Sequence, residues 1–278
     1  MRDLGRGRRR FAACFTWVLP ALDHRGIPWG PICRTLRVGW VLSVLAERFL
    51  VDRIGVIFDC DGTLIDSMGV WRELEGELGR RAGAEVSPKD TETLCTLNIP
   101  ETGAYFHEHF GLGASAEAVV AMIDEFILGY YRERACARPG ALAFVEQLAE
   151  RGVAMSVASS SPQSYLQAGL ACAGFAPYLQ AIVSVEDVRS TKREPLVYDH
   201  ACGLMGTRKN LTWGFEDSIY AVRTLARAGY GVVGVYDRDD SGTWDELCAE
   251  ADVAIRTFED LDAEAFLGEV RRRAASCE

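Results

Sequence analysis

At 278 residues and 30.6 kDa, with 49% hydrophobic and 25% charged residues, the chain is long enough to bury a full core in one large domain or two modest ones. Nine arginines face only three acids in residues 1–50, which leaves 21 basic and 37 acidic residues in 51–278, so the net charge of −10 conceals a strongly acidic body. Such a field disfavours nucleic acid and anionic membranes, which need basic patches, but does not exclude small phosphorylated metabolites where local cations focus them.

Residues 1–10 hold five arginines and residues 11–22 are apolar, which imitates a secretory signal. Pro20 interrupts that run and no small-x-small cleavage site follows. Neither it nor residues 38–50 reach the ~20 apolar residues of a membrane span. The pattern of a folded domain begins abruptly at Val51-Asp52-Arg53-Ile54. Residues 1–50 therefore read as an N-terminal extension and a start-site artefact, with the native start at Leu50 or Val51; an appended helix over 38–50 is the alternative. Nine scattered cysteines, an odd count without a Cys-x-x-Cys pair, suit a reducing cytoplasm better than a disulfide framework or a zinc site.

The first strand is Ile54-Gly55-Val56-Ile57-Phe58, and Asp59-Cys60-Asp61-Gly62-Thr63 follows it directly. A continuous apolar run marks a strand buried on both faces. Two acids one residue apart at its end repel each other unless a cation or a proton intervenes, so a metal-assisted site is the economical reading. Cys60 lies between them, but alternation along an extended segment turns it away from both acids, into packing.

Residues 68–136 carry helical periodicity and no strand: Trp71, Leu74, Leu78 and Ala82 form one stripe, and Val119, Met122, Ile123, Phe126 and Tyr130 another. His107 and His109, two apart on a helix, splay their rings and suit packing better than metal binding. From Pro139-Gly140 onward, strands alternate with helices in the order of a parallel α/β sheet. The helix Ala141–Glu150 precedes a strand over 153–158, and Ser159-Ser160-Ser161 with Pro162 opens the next helix. Further strands read over 181–185, 211–215, 231–236 and 252–255. In open parallel sheets, sites form beyond the carboxyl ends of the strands. This chain sets Ser159, Lys192 in Ser190-Thr191-Lys192-Arg193-Glu194-Pro195, and Glu216-Asp217-Ser218 after such ends. A hydroxyl with helix amino-terminal amides suits a phosphate oxygen. An ammonium neutralises a carboxylate and a phosphoryl group together. Asp237-Arg238-Asp239-Asp240-Ser241 also leaves a strand end but reads as a solvated loop.

This ordered set closely resembles the motifs of the haloacid dehalogenase superfamily: Asp-x-Asp-Gly-Thr at 59–63, the strand-end hydroxyl at Ser159, the lysine at Lys192 and the Glu-Asp-Ser form of the acidic motif at 216–218. Arg193 stands where the family has Pro, and Ala221 where relatives usually have Gly. The resemblance covers residues 53–267. It implies an α/β, doubly wound, Rossmann-like parallel sheet formed by 51–67 and 137–278, with a helical cap domain at 68–136 whose crossings lie near 67–70 and 134–138. It further implies an Mg²⁺-dependent phosphatase in which Asp59 attacks phosphorus to form an aspartyl phosphate and Asp61 protonates the leaving alcohol, then deprotonates water. Mg²⁺ would be held by the Asp59 side chain, the Asp61 backbone carbonyl, Glu216 and Asp217. Ser159, Lys192 and the amide region of Ser160 would hold the phosphoryl oxygens.

The helical-cap subgroup that resembles phosphoglycolate phosphatases and β-phosphoglucomutases is the implied one. Asp61 and the Glu216-Asp217 pair count against the metal-free dehalogenases, and no cap lysine aligns with a phosphonatase Schiff base, Lys89 lying elsewhere. Trp71 occupies the place of the mutase histidine, and Thr96-Leu97-Asn98-Ile99-Pro100-Glu101-Thr102 offers no cation for a second phosphate. Hydrolysis of a small phosphomonoester is thus expected, with a sugar-phosphate mutase or a non-catalytic phosphate-binding protein as the alternatives. A monomer or weak homodimer is the expected assembly.

Overall fold

Six short runs of valine, isoleucine, alanine and aromatic residues pair into one parallel sheet in the computed structural model of the protein. The structure describes residues 53–94, 97–237 and 242–276. The expectations placed on residues 1–50, on Thr96 and on Arg238, Asp239, Asp240 and Ser241 lie outside the described residues. The strands are β1 (Gly55–Phe58), β2 (Ala154–Ser159), β3 (Ala181–Ser184), β4 (Thr212–Glu216), β5 (Gly231–Val235) and β6 (Val253–Ile255). Their spatial order is β3-β2-β1-β4-β5-β6, the doubly wound arrangement expected from the sequence. Strands β1, β2, β4 and β5 are buried along their whole length, which is why they read as apolar runs without alternation.

Alternation still sorts the two faces. Val56 and Phe58 join one core cluster with Phe144, Trp213, Phe215 and Phe266, while Ile57 points into a second with Val197, Ala201, Val222 and Leu225. Helices α5 (Ala141–Glu150) and α11 (Ala263–Ser276) cover the first face. Helices α8 (Leu196–Met205), α9 (Ile219–Ala228) and α10 (Trp244–Glu250) cover the second. Helix α6 (Gln163–Cys172) follows β2, and the one-turn α7 (Val185–Val188) follows β3.

Between β1 and α5 the chain forms four helices and, among the described residues, no strand: α1 (Met68–Ala82), α2 (Pro88–Leu94), α3 (Ile99–Phe110) and α4 (Ala116–Glu133). Local chemistry sets their ends. The Asn98 side chain accepts from the Glu101 amide at 3.0 Å while Glu101 accepts from the Asn98 amide at 2.9 Å, a reciprocal cap that starts α3. Ser115 caps α4 through the Ala118 amide at 3.2 Å. The apolar stripes meet inside this block, where Leu74, Leu78, Phe106, Val119, Ile123 and Ile127 are buried. His107 donates to the Leu112 carbonyl at 2.9 Å, and His109 stacks on Tyr105 with ring centroids 4.2 Å apart, so both rings serve packing.

The outgoing and returning crossings of this block are paired with each other. Ile65 and Ala137 form an antiparallel bridge, the Asp66 amide donates to the Cys136 carbonyl at 3.1 Å, and the Arg138 amide donates to the Leu64 carbonyl at 2.9 Å. Tyr130 adds a bond from its hydroxyl to the Asp66 carbonyl at 2.7 Å.

Candidate active site

Register brings the chemistry-bearing residues to one edge of the sheet. Phe58 pairs with Val157 on one side and Phe215 on the other, so Asp59 and Glu216, one place past these pairs, and Ser159, two places past Val157 at the end of β2, leave adjacent strands at the same edge. The Asp59 amide donates to the Phe215 carbonyl at 2.9 Å and extends the ladder into the site. Asp59, Ser159, Lys192, Glu216 and Asp217 are all buried. Buried ionised groups persist only when paired or bound to a cation.

Lys192 supplies much of that pairing. Its Nζ donates to Asp59 Oδ1 and, at 2.5 Å, to Glu216 Oε1, which also accepts from the Tyr198 hydroxyl at 2.8 Å. Burial alone would drive the ammonium toward neutrality, but the Asp59 and Glu216 carboxylates outweigh it and hold Lys192 above its ordinary range, hence charged. Burial raises Asp59 against the pull of Lys192, with Asp61 adding to the rise. Glu216 is pushed up to about 7, by burial first and by Asp59 after it, against the opposing pull of Lys192. The site therefore holds more negative charge than its one buried lysine neutralises.

A divalent cation would resolve that excess, and the donor set fits one. Carboxylate oxygens of Asp59, Glu216 and Asp217 all lie within 4.8 Å of one another. Glu216 Oε2 is buried without a hydrogen-bond partner. Hard oxygen donors of this kind select Mg²⁺ or a similar ion. Gly62 makes the close approach feasible: its φ of +77° is a left-handed conformation, and a Cβ there would sit 2.2 Å from Asp217 Oδ2. Thr63 fixes the same carboxylate from the other side, donating to Asp217 Oδ1 at 3.2 Å.

Asp61 stands apart from this cluster. Its Oδ1 accepts from the Ser67 hydroxyl at 2.6 Å and from the Tyr131 hydroxyl, and its Oδ2 accepts from the Ser161 hydroxyl at 2.6 Å. Tyr131 is driven far above the ordinary tyrosine range by burial and then by Asp61, so it remains a neutral donor. Cys60, in contrast, is fully buried in the core, and burial followed by the two flanking acids pushes its thiol well up. It has no thiolate to offer.

Ser159 is placed as the sequence led one to expect, with its hydroxyl oxygen accepting from the Ser161 amide at 3.1 Å and its own proton left to give. The Ser160 side chain is exposed, which leaves its expected contribution as a backbone amide, and the neighbouring Ser161 hydroxyl is the one that reaches Asp61. Arg193, the departure from the lysine motif, lays its guanidinium 4.7 Å above the Tyr220 ring and so clamps the Lys192 loop to the start of α9. Asp237 is also not the solvated loop residue expected from its neighbours. It pairs with Arg138 at 2.7 Å, each side chain 14% exposed, because the returning crossing passes directly over the end of β5.

Sequence reasoning missed Ser67, Tyr131, Ser161, Tyr198 and Arg138. Tyr131 continues the spacing of the helical stripe and is indistinguishable there from a core residue. Ser161, two places past Ser159 in an unbroken serine triplet, was the one with a readable signal.

Comparison with known proteins finds a family, curated relatives and structures of similar fold. A family model described as haloacid dehalogenase-like hydrolase matches residues 55–229. Validoxylamine A 7'-phosphate phosphatase of Streptomyces hygroscopicus subsp. limoneus is 27% identical over 207 residues, covering 74% of this chain and 94% of that protein. Hexitol phosphatase B of Escherichia coli K12 is 24% identical over 217 residues, covering 77% and 97%. Among solved structures, a candidate β-phosphoglucomutase from Thermotoga maritima superposes with a TM-score of 0.68 at 21% identity, over 78% of this chain and 99% of that one, a likeness of fold.

Proposed function

Because the chain belongs to the haloacid dehalogenase-like hydrolases, we propose that it is an Mg²⁺-dependent phosphatase that hydrolyses a small phosphomonoester by way of an aspartyl phosphate on Asp59. One observation carries the reading: a buried lysine joins Asp59 to Glu216 while Asp217 and an unpartnered Glu216 oxygen complete a cation-sized cluster around them.

The residues divide the work. Asp59 Oδ1 is held against Lys192, which lowers the repulsion between the carboxylate and an approaching phosphate dianion. Ser159, Lys192 and the backbone amides around Cys60, Asp61 and Ser160 take the phosphoryl oxygens. Asp61 gives its proton to the departing alkoxide and then takes one from the water that cleaves the acyl phosphate. Asp59, the Asp61 carbonyl, Glu216 and Asp217 would hold Mg²⁺, which when bound supplies charge neutralisation at the transferring group.

The helices from 68 to 136 form the cap of this enzyme, and residues 51–67 and 137–278 its core. Residues 96–102 carry no lysine, arginine or histidine, and Asn98 and Glu101 there are engaged in their reciprocal cap. That favours an uncharged leaving group. Relatives named for a validoxylamine phosphate and for hexitol phosphates support a phosphorylated polyol or sugar-like alcohol. The likeness in fold to a candidate β-phosphoglucomutase leaves a mutase to be tested directly.

The test is release of phosphate from a panel of hexitol and sugar phosphates and a generic aryl phosphate, with Mg²⁺ and then with chelator. Metal-dependent turnover that vanishes in Asp59→Asn is the expected result. Isomerisation of a sugar 1-phosphate on addition of a hexose bisphosphate would establish the mutase instead. No turnover, with ligand binding unchanged in Asp59→Asn, would leave a binding protein.

A further inference from the structure

Arg138 lies outside every motif, yet its side chain reaches two separate pieces of the catalytic edge, the turn after β1 and the residues that follow β5. Nη1 donates to the Gly62 carbonyl and, at 2.7 Å, to Asp237 Oδ2, and Nη2 donates to the Tyr236 carbonyl at 3.0 Å. Its own backbone is fixed by the bond from its amide to the Leu64 carbonyl at 2.9 Å. The guanidinium is therefore anchored at both ends, and one of its targets is the glycine on which Asp217 packs.

The other restraints on that glycine are backbone bonds inside its own turn, among them the Ile65 amide donating to the Cys60 carbonyl at 2.9 Å and the parallel bridge between Asp61 and Ile65. Its left-handed conformation is adopted without a side chain, and the turn around it is closed by the Gly62 amide donating to the Ile65 carbonyl at 3.0 Å and the Leu64 amide donating to the Cys60 carbonyl at 2.9 Å. A peptide flanking glycine rotates readily. Were the Gly62–Thr63 peptide to turn, Thr63 and with it the Asp217 carboxylate that it fixes would shift, and the preceding peptide, which carries the Asp61 carbonyl, would lose its fixed neighbour. A planar fork with several donors in fixed directions holds such a carbonyl far better than a point charge does. Asp237, 14% exposed, orients the fork and balances its charge.

We infer that Arg138 is a positioning residue for the cation site: by gripping the Gly62 carbonyl it holds the Asp61-Gly62-Thr63 turn in the one arrangement that lets Asp217 and the Asp61 carbonyl face Asp59. This rests on the reading of the site given above. Arg138 touches neither substrate nor metal and acts through the turn alone.

The full-length protein and its Arg138→Met, Arg138→Lys and Asp237→Asn variants are compared by Mg²⁺ titration calorimetry, by steady-state kinetics on an aryl phosphate, and by amide hydrogen exchange of Gly62 and Thr63 without metal. Arg138→Met should raise the Mg²⁺ Kd by roughly 10- to 100-fold, the range for lost outer-shell partners. It should also lower kcat with KM little changed and speed Gly62 exchange at least about tenfold. Lysine should fall between the two, and Asp237→Asn should move every quantity in the same direction by less. A Kd within about twofold of wild type and unchanged exchange, with only the melting temperature lowered, would overturn the inference and leave Arg138 a structural tie. Should Arg138→Met fail to fold by circular dichroism, the lysine and Asp237 variants decide on the same axes. Should the wild type bind Mg²⁺ yet hydrolyse no phosphomonoester, the proposed function fails, while Kd and exchange still judge Arg138.

Discussion

Asp61 and Glu216 show how much a single side chain can report. Three hydroxyls fix both oxygens of Asp61, and its proposed contribution to the metal is a backbone carbonyl. Asp61→Asn should therefore cost roughly 10²- to 10⁴-fold in kcat, the scale of general acid–base catalysis. Mg²⁺ affinity by calorimetry should stay near wild type; a matching loss of affinity would show that the carboxylate itself binds the ion. Glu216 offers a pH test. Burial first of all lifts it from 4.5 to about 7, so the folded chain holds its proton more tightly than the unfolded chain. Metal-free stability then declines as pH rises from the unfolded value through about 7. Mg²⁺ needs the ionised form, so its gain in melting temperature should be larger at about pH 7.5 than at about pH 5.5. Equal gains at the two values would count against Glu216 as a ligand.

Among secondary-structure elements, α4 links the helical block to the chemistry. Val119, Ile123 and Ile127 bury one side of it in the block, while Tyr131 near its end meets Asp61 and stacks on Tyr165 of α6 at 5.5 Å. Tyr165 also donates to Asp124 at 2.5 Å, so α4 is tied to α6 over two turns. Ile123→Ala should lower stability by about 2–4 kcal/mol, as large-to-small core changes do. Because it lies about two turns along the helix from Tyr131, the residue that meets Asp61, kcat should change less than twofold; denaturant unfolding and kinetics on one sample check both. The strands were legible in the sequence because short apolar runs bounded by turn residues alternate there with helical stripes, Asp59 and Glu216-Asp217 because acids stand at the ends of such runs, and Lys192, which follows the helix after β3 and not a strand end, only through its motif. Tyr131, Tyr198 and Arg138 were not legible. Each sits in an ordinary helical or loop context and becomes significant through partners 70, 18 and 99 residues away, which periodicity does not encode.

Across the whole molecule, charge and composition set the terms on which substrate arrives. With 40 acids against 30 bases, the surface repels a phosphate dianion until it nears Lys192. Added salt should therefore raise kcat/KM for a phosphomonoester by a few-fold between about 10 and 150 mM ionic strength, since the Debye length shrinks over that range. A fall would reveal a steering patch that composition hides. No helix among the described residues is long and apolar enough to cross a membrane. Cys136, Cys172 and Cys248 stand exposed as free thiols.

The bridge between Ile65 and Ala137 carries a consequence for ancestry and engineering. Where a polypeptide departs from and rejoins a scaffold at two positions already stapled together, the excursion between them can be lengthened, trimmed or exchanged at little entropic cost to the frame. The frame keeps Asp59, Lys192 and the Glu216-Asp217 pair, while the excursion, apart from the Tyr131 hydroxyl that holds Asp61, is open to being rewritten for whichever alcohol must be seated above it.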